Sequence, residues 1–511
     1  MVFSSSVFFM AFLPITIFVY FLIPARFLKA RNLWLLIASL LFYGWGEPKY
    51  IAVMAFSIVF NYVFGRVIGR LRTEADGQDA PLAAAGVEVG KEGKTCDTAG
   101  SGGNGSGQTM RCAKLAMVLC VIGNLAILGF FKYTDFLIGT VNGLLGGQLS
   151  LLNIALPIGI SFYTFQTMSY IIDVYWGKVP AQRDFIAFAA YVTLFPQLIA
   201  GPIVRYADVA VMLVGRTTNV EQVAEGIRRF IVGFGKKVLL ANQVYVVWAE
   251  ITAMDLTQIS LATAWLGAVA FTFQIYFDFS GYSDMAIGLG KIFGFDYLEN
   301  FNYPYISRSI TEFWRRWHMS LSSWFKEYVY VPLGGNRKGL ARQILNIAVV
   351  WTLTGLWHGA SWNFVAWGVY FGVILILEKL WLLRALEKCP AFVGHLYSLI
   401  LIVLGWVIFG LTDFSQMATY IACMFGGASA LLDGDFLYLA TSRIWLLLFC
   451  AIGSTPLVKC VCERIAVRLA AARGGETLLG VLESAVLLAV FALSIAFLVS
   501  GSYNPFLYFR F

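Results

Sequence analysis

The feature that most constrains this chain is a series of apolar stretches without charged residues. Hydrophobic residues make up 59% of the 511 residues and charged residues only 13%, whereas soluble domains have about 25% charged residues. About 20 consecutive apolar residues are enough to cross a bilayer as a helix. The composition therefore predicts an all-α, polytopic integral membrane protein.

The charge-free stretches mark the expected membrane helices, which lie at 1–25, 32–46, 51–65, 115–131, 136–172, 185–204, 256–277, 343–377, 389–412, 414–432, 444–458 and 484–509. Several have only about 15 residues, too few to cross a bilayer upright without flanking aromatic residues or local thinning. Two long stretches are expected to form pairs of helices. One pair breaks at Pro157, and the other breaks near 355–359, which leaves His358 at the break.

Basic residues predict the orientation of the chain. The first short loop holds Arg26, Lys29 and Arg31 and no acidic residue, and the positive-inside rule places such a loop in the cytoplasm. Residues 1–25 carry no charge and lack the basic start of a signal peptide, so we expect a retained first span. The expected protein is a multi-pass protein of the cytoplasmic membrane with its N-terminus outside.

A hydrophilic segment follows the third stretch and is expected on the cytoplasmic side. It contains the sequence "GSGGNGSG", a composition typical of flexible linkers. We expect a disordered loop at about 70–113, inserted into a single transmembrane domain that covers 1–511.

Two polar islands interrupt the apolar pattern. In the first, 205–255, basic residues alternate with apolar ones, as in an amphipathic helix or hairpin that lies among lipid headgroups; these are Arg228, Arg229, Lys236 and Lys237. The second island, 278–342, is rich in charged residues and also in aromatic ones. That mixture predicts short helices packed into the protein at the membrane surface.

The second island contains His318, one of only three histidines, within "TEFWRRWHMSLSSWFKEYVYVPLGGNRKG". Ser309 and Glu312 have the spacing of a capping box, which predicts a helix that starts near residue 310. An apolar stripe predicts that the helix continues until the turn formed by "VPLGG"; the stripe comprises Phe313, Trp317, Leu321, Trp324 and Tyr328. His318 is expected beside this stripe, buried or half buried.

The second histidine of interest, His358, lies in "TGLWHGASWN" between Gly355 and Gly359. Ionisable residues at membrane depth are costly, and they usually face an interior cavity and mark function. Neutral imidazole is also a good general base near pH 7. His358 is therefore a candidate catalytic base.

Structural roles remain open for these residues. Either histidine would also suit a hydrogen bond to a carbonyl across a helix interface, and His395 is expected to have only such a role. The pair Arg315 and Arg316 would serve either to bind a donor or to anchor its helix at the headgroups. The turn "LGGNRKG" is a plain turn or, with Arg337 and Lys338, a phosphate cradle.

The motifs limit the chemistry. The chain has no Walker loop, no HExxH and no Ser-His-Asp order, and its eight cysteines form neither a metal-site spacing nor a disulfide framework. We expect no metal site and no nucleic-acid binding. What remains is acyl transfer, in which a buried histidine takes a proton from a hydroxyl that attacks an activated acyl group. The basic cytoplasmic surface favours a phosphate-bearing thioester such as acetyl-CoA as the donor.

Several stretches resemble the membrane-bound O-acyltransferase (MBOAT) family. The most specific is "YFDFSGYSDMAIGLGKIFGFDYLENFNYPYISRSITEFWRRWHMSLSSWFKEYVYVPLGGNR", followed by "TGLWHGASWNFVAWGVYFG". Upstream, "LPIGISFYTFQTMSYIIDVYWG" and "FPQLIAGPIVRY" are also similar to that family. The likeness covers most of the chain, and "WRRWHMSLSSW" with "LGGNR" favours its polysaccharide-acetylating branch.

The resemblance implies a fold and a site. The fold would be a ring of membrane helices, with short re-entrant or interfacial helices, around a central catalytic channel. The family's two histidines fall on His358, the expected base, and on His318, expected in the cytoplasmic funnel. Residues expected to bind the donor or line the channel are Arg315, Arg316, Trp317, Trp357, Asn336 and Arg337.

The function implied is transfer of an acetyl group from acetyl-CoA to hydroxyls of a cell-surface polysaccharide, such as an alginate-like exopolysaccharide or peptidoglycan. An extracytoplasmic SGNH-type transferase is the implied partner. Two alternatives stay open: D-alanyl transfer from a carrier protein toward teichoic acid, and polysaccharide transport without a covalent step. A transporter would be expected to show repeated halves with intramembrane carboxylates, for which Asp278 and Asp284 are the only candidates.

Overall fold

The computed structural model describes residues 1, 3, 5–76, 104–199, 201–471 and 474–501, and throughout these ranges the regular elements are helices. Two compact units are distinguished. The first comprises Met1, Ala11–Ile199 and Ile203–Thr217, and the second comprises Val2–Met10, Ala200–Pro202 and Thr218–Phe511. The predicted all-α class is confirmed.

Five helices in the described ranges are long and apolar enough to cross a membrane: Pro48–Ala75, Ser106–Leu145, Val220–Ala253, Ala391–Gly410 and Gly475–Ser500. The helices Gly434–Ser442 and Ile444–Gly453 meet at an angle of 64° and together would form a sixth span. The protein is therefore a multi-pass membrane protein.

The first unit contains eight α-helices among its described residues: α1 Leu13–Leu22, α2 Leu28–Gly44, α3 Ile51–Asp76, α4 Asn104–Leu145, α5 Ile160–Trp176, α6 Phe185–Thr193, α7 Phe195–Leu198 and α8 Tyr206–Gly215. Buried amides join α3 to α4: Asn61 donates to the side-chain oxygen of Asn124 at 2.9 Å, and Asn124 donates back at 2.8 Å. Such reciprocal bonds hold helices together where water is scarce.

Some expected boundaries in this unit are wrong. The stretches 115–131 and the start of 136–172 belong to the single helix α4, because Lys132 between them is accommodated by a bond to Ser161. The predicted break at Pro157 is confirmed. The stretch 185–204 is divided at Leu194, whose backbone is not helical. The expected loop at 70–113 is helical at 70–76 and 104–113, and 77–103 lies outside the described residues.

The second unit contains the remaining α-helices of the described chain: α9 Val220–Gly235, α10 Asn242–Ala253, α11 Leu261–Ile292, α12 Ile310–Arg316, α13 Met319–Phe325, α14 Leu340–His358, α15 Trp362–Leu377, α16 Leu383–Glu387, α17 Ala391–Gly410, α18 Phe414–Ala422, α19 Gly434–Ser442, α20 Ile444–Gly453, α21 Leu457–Ala470 and α22 Gly475–Ser500. A π-helical segment, Lys236–Ala241, joins α9 to α10, and another, Lys326–Tyr330, follows α13.

Helices α9 and α11 pack with their backbones in contact. A Cβ atom on Gly233 would lie 2.6 Å from the carbonyl oxygen of Gly281, and one on Gly226 would lie 2.6 Å from that of Gly288. Real Cβ atoms do not approach oxygen so closely, so these positions require glycine.

Three of the four basic residues named in the first polar island pair with acids on α11, whereas Arg228 pairs with Glu483 of α22. Lys237 bonds to Asp278 with both side chains buried, and Lys236 and Arg229 contact Asp284 at 2.7 and 2.9 Å. The expected headgroup helix is therefore wrong. Charges in a low-dielectric interior need partners, and here the partners come from the neighbouring helix rather than from lipid.

The hairpin of α14 and α15 also depends on glycine. A Cβ on Gly355 would meet the carbonyl oxygen of Phe364 at 2.3 Å, and one on Gly368 would meet that of Trp351 at 2.4 Å. The break between the helices, predicted near 355–359, is confirmed. It leaves His358 as the last residue of α14.

Candidate active site

His318 lies at a sharp break between α12 and α13. Its φ angle is +43°, in the left-handed region, where histidine is one of the few side chains that occur with any frequency. The single helix expected from residue 310 to the "VPLGG" turn is therefore wrong, although its start is correct, since Ser309 caps it by accepting a bond from the Glu312 amide at 3.0 Å.

The loop before α12 stabilises this break. The backbone oxygen of Asn300 accepts a bond from Met319 N at 3.0 Å, and Asn302 N donates to the backbone oxygen of Arg316 at 2.9 Å. These bonds satisfy backbone groups that the interruption of the helix would otherwise leave unpaired. The turn thus separates α12, which ends at Arg316, from α13, which starts at Met319.

A buried carboxylate holds the first turn of α12. Glu378 accepts bonds from Ile310 N at 2.7 Å and from Thr311 N and Oγ1 at 2.8 and 2.6 Å, and Tyr397 donates to it at 3.1 Å. A carboxylate at a helix N-terminus satisfies free amides and complements the helix dipole. Glu378 therefore anchors the helix that precedes His318.

The His318 ring is 1% exposed and enclosed by aromatic rings. Phe279 of α11 meets it edge-on at 4.6 Å between centroids, and Trp357 of α14 lies at 5.9 Å. Nδ1 lies 3.1 Å from the side-chain oxygen of Asn300. Nε2 is buried and has no hydrogen-bond partner in the described parts of the chain. Burial lowers the pKa of His318 to about 3, so the ring is neutral near pH 7.

His358 is 7% exposed at the end of α14. Its ring packs against Trp357 and Trp367, each at 5.0 Å, and against Phe409 at 5.3 Å. Both predicted histidines therefore contact the indole of Trp357. The structure brings together the two residues that the sequence placed forty positions apart, with one predicted tryptophan as their common neighbour.

The other predicted site residues have different settings. Trp317 is buried in an aromatic cluster, with Trp406 at 4.7 Å and Phe301 at 5.0 Å. Arg315 is exposed, whereas Arg316 is bonded to Glu312 and to the backbone oxygen of Asn302. The two arginines are thus not an equivalent pair.

Asn336 and Arg337 are exposed on the turn after α13. In this turn Gly334 and Gly335 have φ angles of +106° and +55°, and Asn346 holds it by donating to the Gly335 carbonyl at 3.0 Å. The turn itself was predicted correctly. A role in binding phosphate stays a prediction.

Three site residues were missed from the sequence: Asn300, Phe279 and Glu378. Asn300 and Phe279 carry no local signal, because their importance depends on contacts with residues distant in the chain. Glu378 did carry a local signal, since it is the first charged residue after the long charge-free stretch that contains His358. An acidic residue in that position is a candidate functional residue for the same reason as an intramembrane histidine.

The arrangement suits proton transfer. Two buried imidazoles lie against one indole, and aromatic rings shield them from water. A general base needs a neutral nitrogen within reach of a hydroxyl. The site therefore offers a buried imidazole to a hydroxyl that enters it, and His318, with its lowered pKa, is the weaker base of the two candidates.

Comparison with known proteins agrees with this chemistry. Residues 178–409 match the model of the MBOAT, membrane-bound O-acyltransferase family. The "Probable alginate O-acetylase AlgI" of Pseudomonas putida is 39% identical over the whole of both chains, and that of Azotobacter vinelandii is 41% identical over 83% of this chain and 78% of its own length. The "Peptidoglycan O-acetyltransferase" of Helicobacter pylori is 33% identical over 80% of this chain and 77% of its own. The chain belongs to the membrane-bound O-acyltransferase family, and it is an O-acyltransferase of the membrane.

Proposed function

We propose that this protein takes an acetyl group from cytoplasmic acetyl-CoA and passes it toward hydroxyls of a cell-surface polysaccharide, such as an alginate-like exopolysaccharide or peptidoglycan. The observation that carries the proposal is the pair of buried histidines, His318 and His358, on the same indole. The relatives named as alginate and peptidoglycan acetylating enzymes support acetyl as the acyl group and a polysaccharide as the acceptor. The N-terminus lies outside in this proposal.

In the proposed reaction His358 acts as the general base. It removes the proton from the attacking hydroxyl, whose oxygen forms a bond to the acetyl carbon while the carbon–sulfur bond breaks. The coenzyme A thiolate leaves and takes the proton back from the imidazolium. The position of His358 supports this role, because the C-terminal end of a helix such as α14 stabilises a positive charge.

An extracytoplasmic SGNH-type transferase completes the proposed pathway. The attacking hydroxyl then belongs either to that partner, which receives the acetyl group first, or to the polysaccharide itself. Both routes use the same proton transfer at His358. The buried and largely aromatic surroundings of the histidines favour a reaction from which water is excluded, since water would hydrolyse the thioester.

Arg315 is proposed to attract the phosphates of acetyl-CoA. It is the exposed member of the arginine pair, whereas Arg316 is bonded to Glu312. Arg315→Ala is therefore expected to raise KM for acetyl-CoA several-fold with little change in kcat. This result is expected because the arginine would stabilise the bound donor and the transition state equally. Steady-state kinetics in detergent, away from anionic lipid, measure both constants.

The matched control is Arg308→Ala, which removes another exposed arginine next to α12. Its KM is expected to stay at the parental value. An unchanged KM for Arg315→Ala would contradict the donor role and favour the view that Arg315 only anchors its helix at the headgroups.

The function itself is tested by the acetyl content of the surface glycans in cells with and without the gene. Deletion is expected to remove ester-linked acetate from one polysaccharide, and complementation with the parent gene, but not with His358→Ala, is expected to restore it. Loss of D-alanine esters with acetate unchanged would contradict acetyl transfer. Unchanged esters of both kinds would contradict acyl transfer to the cell surface.

A further inference from the structure

The geometry points to Asn300 as a positioning residue that holds the proton of His318 on Nδ1, so that His318 meets its substrate only as a hydrogen-bond acceptor, through Nε2. One part of this inference rests on the proposed function, namely that His318 contacts the acetyl donor or the hydroxyl acceptor. The assignment of the proton itself rests on hydrogen-bond geometry and on the neutral state of the buried ring.

The orientation of the Asn300 amide is determined by its neighbours. Its side-chain oxygen accepts from the backbone amide of Ser320 at 3.3 Å and from the Ser320 hydroxyl at 2.9 Å. A backbone N–H can only donate, so the atom that faces Ser320 must be the oxygen and not the nitrogen. Asn300 is 1% exposed, and these bonds therefore form away from solvent.

The same oxygen faces Nδ1 of His318 at 3.1 Å. The Ser320 hydroxyl also lies 3.4 Å from Nδ1, but it donates its proton to the Asn300 oxygen at 2.9 Å. Because an amide oxygen only accepts, Nδ1 must carry the proton. A neutral imidazole has a single N–H, and burial keeps the ring neutral by lowering its pKa to about 3. Nε2 then carries a lone pair, and it is the buried ring nitrogen that lacks a partner in the described part of the chain.

The surroundings of the ring favour this state. Besides Asn300 and Ser320, aromatic side chains contact it, namely Phe279 on α11 and Trp357 on α14. The titratable or charged residues on the elements packed around it are Tyr276, Asp278, Tyr282, Asp284 and Lys291 of α11, Asp296, Tyr297, Glu299, Tyr303, Tyr305 and Arg308 of the following segment, Glu312, Arg315 and Arg316 of α12, and Arg342 and His358 of α14. On α11 the two carboxylates bond to basic residues of the α9–α10 segment.

The tautomer restricts what His318 can do. Its only N–H is committed to Asn300, so it has no proton to donate to the thioester carbonyl. Nε2 can accept a bond from an amide N–H of the pantetheine arm or from an attacking hydroxyl. A buried acceptor without a partner costs free energy, and such a bound N–H or O–H would remove that cost.

Nitrogen NMR of the full-length protein, labelled with ¹⁵N-histidine, tests the inference without an activity assay. The chain has three histidines, and His318→Gln identifies the signals of His318 by their loss. We expect one protonated nitrogen, Nδ1, and one unprotonated nitrogen, Nε2, without titration between pH 5.5 and 8. A proton on Nε2 in the parent protein would overturn the proposal, whatever the enzyme transfers.

Two variants test the role of Asn300. Asn300→Leu removes the acceptor, so the proton is expected to shift at least partly to Nε2 and kcat to fall by ~10-fold or more. Asn300→Asp keeps an acceptor, and we expect it to retain the parental tautomer and to raise the pKa of His318, because a carboxylate favours the imidazolium. An unchanged tautomer in Asn300→Leu, or an unchanged His318 titration in Asn300→Asp, would overturn the positioning role.

Asn302→Ala is the matched control, since the Asn302 side chain is exposed and its bonds to Arg316 use backbone atoms. It is expected to keep the parental tautomer and kcat. If Asn300→Leu does not fold, the parent spectrum and Asn300→Asp still decide the question. The two proposals can fail separately. If the parent protein shows the expected tautomer but transfers no acetyl group, the proposed function is contradicted and the positioning of His318 by Asn300 still holds.

Discussion

His358→Ala is expected to lower acetyl transfer by ~10²–10⁴-fold, the usual loss when a general base is removed. The substitution deletes the imidazole but leaves Trp357, Trp367 and Phe409, whose rings surround it. The protein is therefore expected to fold and insert normally. Transfer activity normalised to the amount of folded protein, measured by size-exclusion chromatography in detergent, gives the loss.

The control for this variant is His395→Ala. His395 is half-buried in the first turn of α17, and no catalytic role is assigned to it. Parental activity is expected for the control. Activity near the parental value for His358→Ala would show that the base is another group.

Gly233→Leu is expected to abolish the folded protein. A Cβ at this position would lie 2.6 Å from the carbonyl oxygen of Gly281 and 2.8 Å from Met285 N, so α9 and α11 would have to separate. Overpacking usually lowers the stability of a protein by about 1–3 kcal/mol. Here the added atoms would meet backbone atoms, which have no other rotamer that would relieve the clash. Separation would also stretch the buried bond between Lys237 and Asp278 and leave two charges without compensation.

Gly480→Leu makes the same change on α22, where an added Cβ meets no atom within 4 Å. This control is expected to yield as much folded protein as the parent. Fluorescence-detected chromatography of tagged variants compares the two. A monodisperse peak of parental size and height for Gly233→Leu would contradict the close crossing of α9 and α11.

The features predicted correctly from the sequence depend on neighbours in the chain. The glycines at 355 and 359 predicted the break after α14, and Ser309 with Glu312 predicted the start of α12. The shortage of charge predicted the membrane class. In each case the signal lies within a few residues of the feature, or in the composition as a whole.

The features that were missed depend on contacts between distant residues. The left-handed turn at His318 is held by Asn300 and Asn302, which belong to a loop on the other side of α12. Local periodicity favoured an unbroken helix there, because the apolar stripe continues across the break. Tertiary hydrogen bonds outweighed that preference.

The first polar island was misjudged for the same reason. Arg229, Lys236 and Lys237 were interpreted as headgroup anchors because their partners, Asp278 and Asp284, lie some 40 to 55 positions further along the chain. A single sequence does not reveal such pairs. Once the pairs form, the island becomes part of a membrane-length helix, Val220–Ala253.

Transfer of label from acetyl-CoA across a sealed membrane tests the central claim most directly. Inverted vesicles that contain the protein, with purified polysaccharide and the extracytoplasmic partner inside, would receive acetyl-labelled acetyl-CoA outside. We expect labelled ester in the enclosed polysaccharide with the parent protein and a loss of ~10²–10⁴-fold with His358→Ala. Labelled polysaccharide at equal levels with both proteins, or none with the parent, would contradict the account.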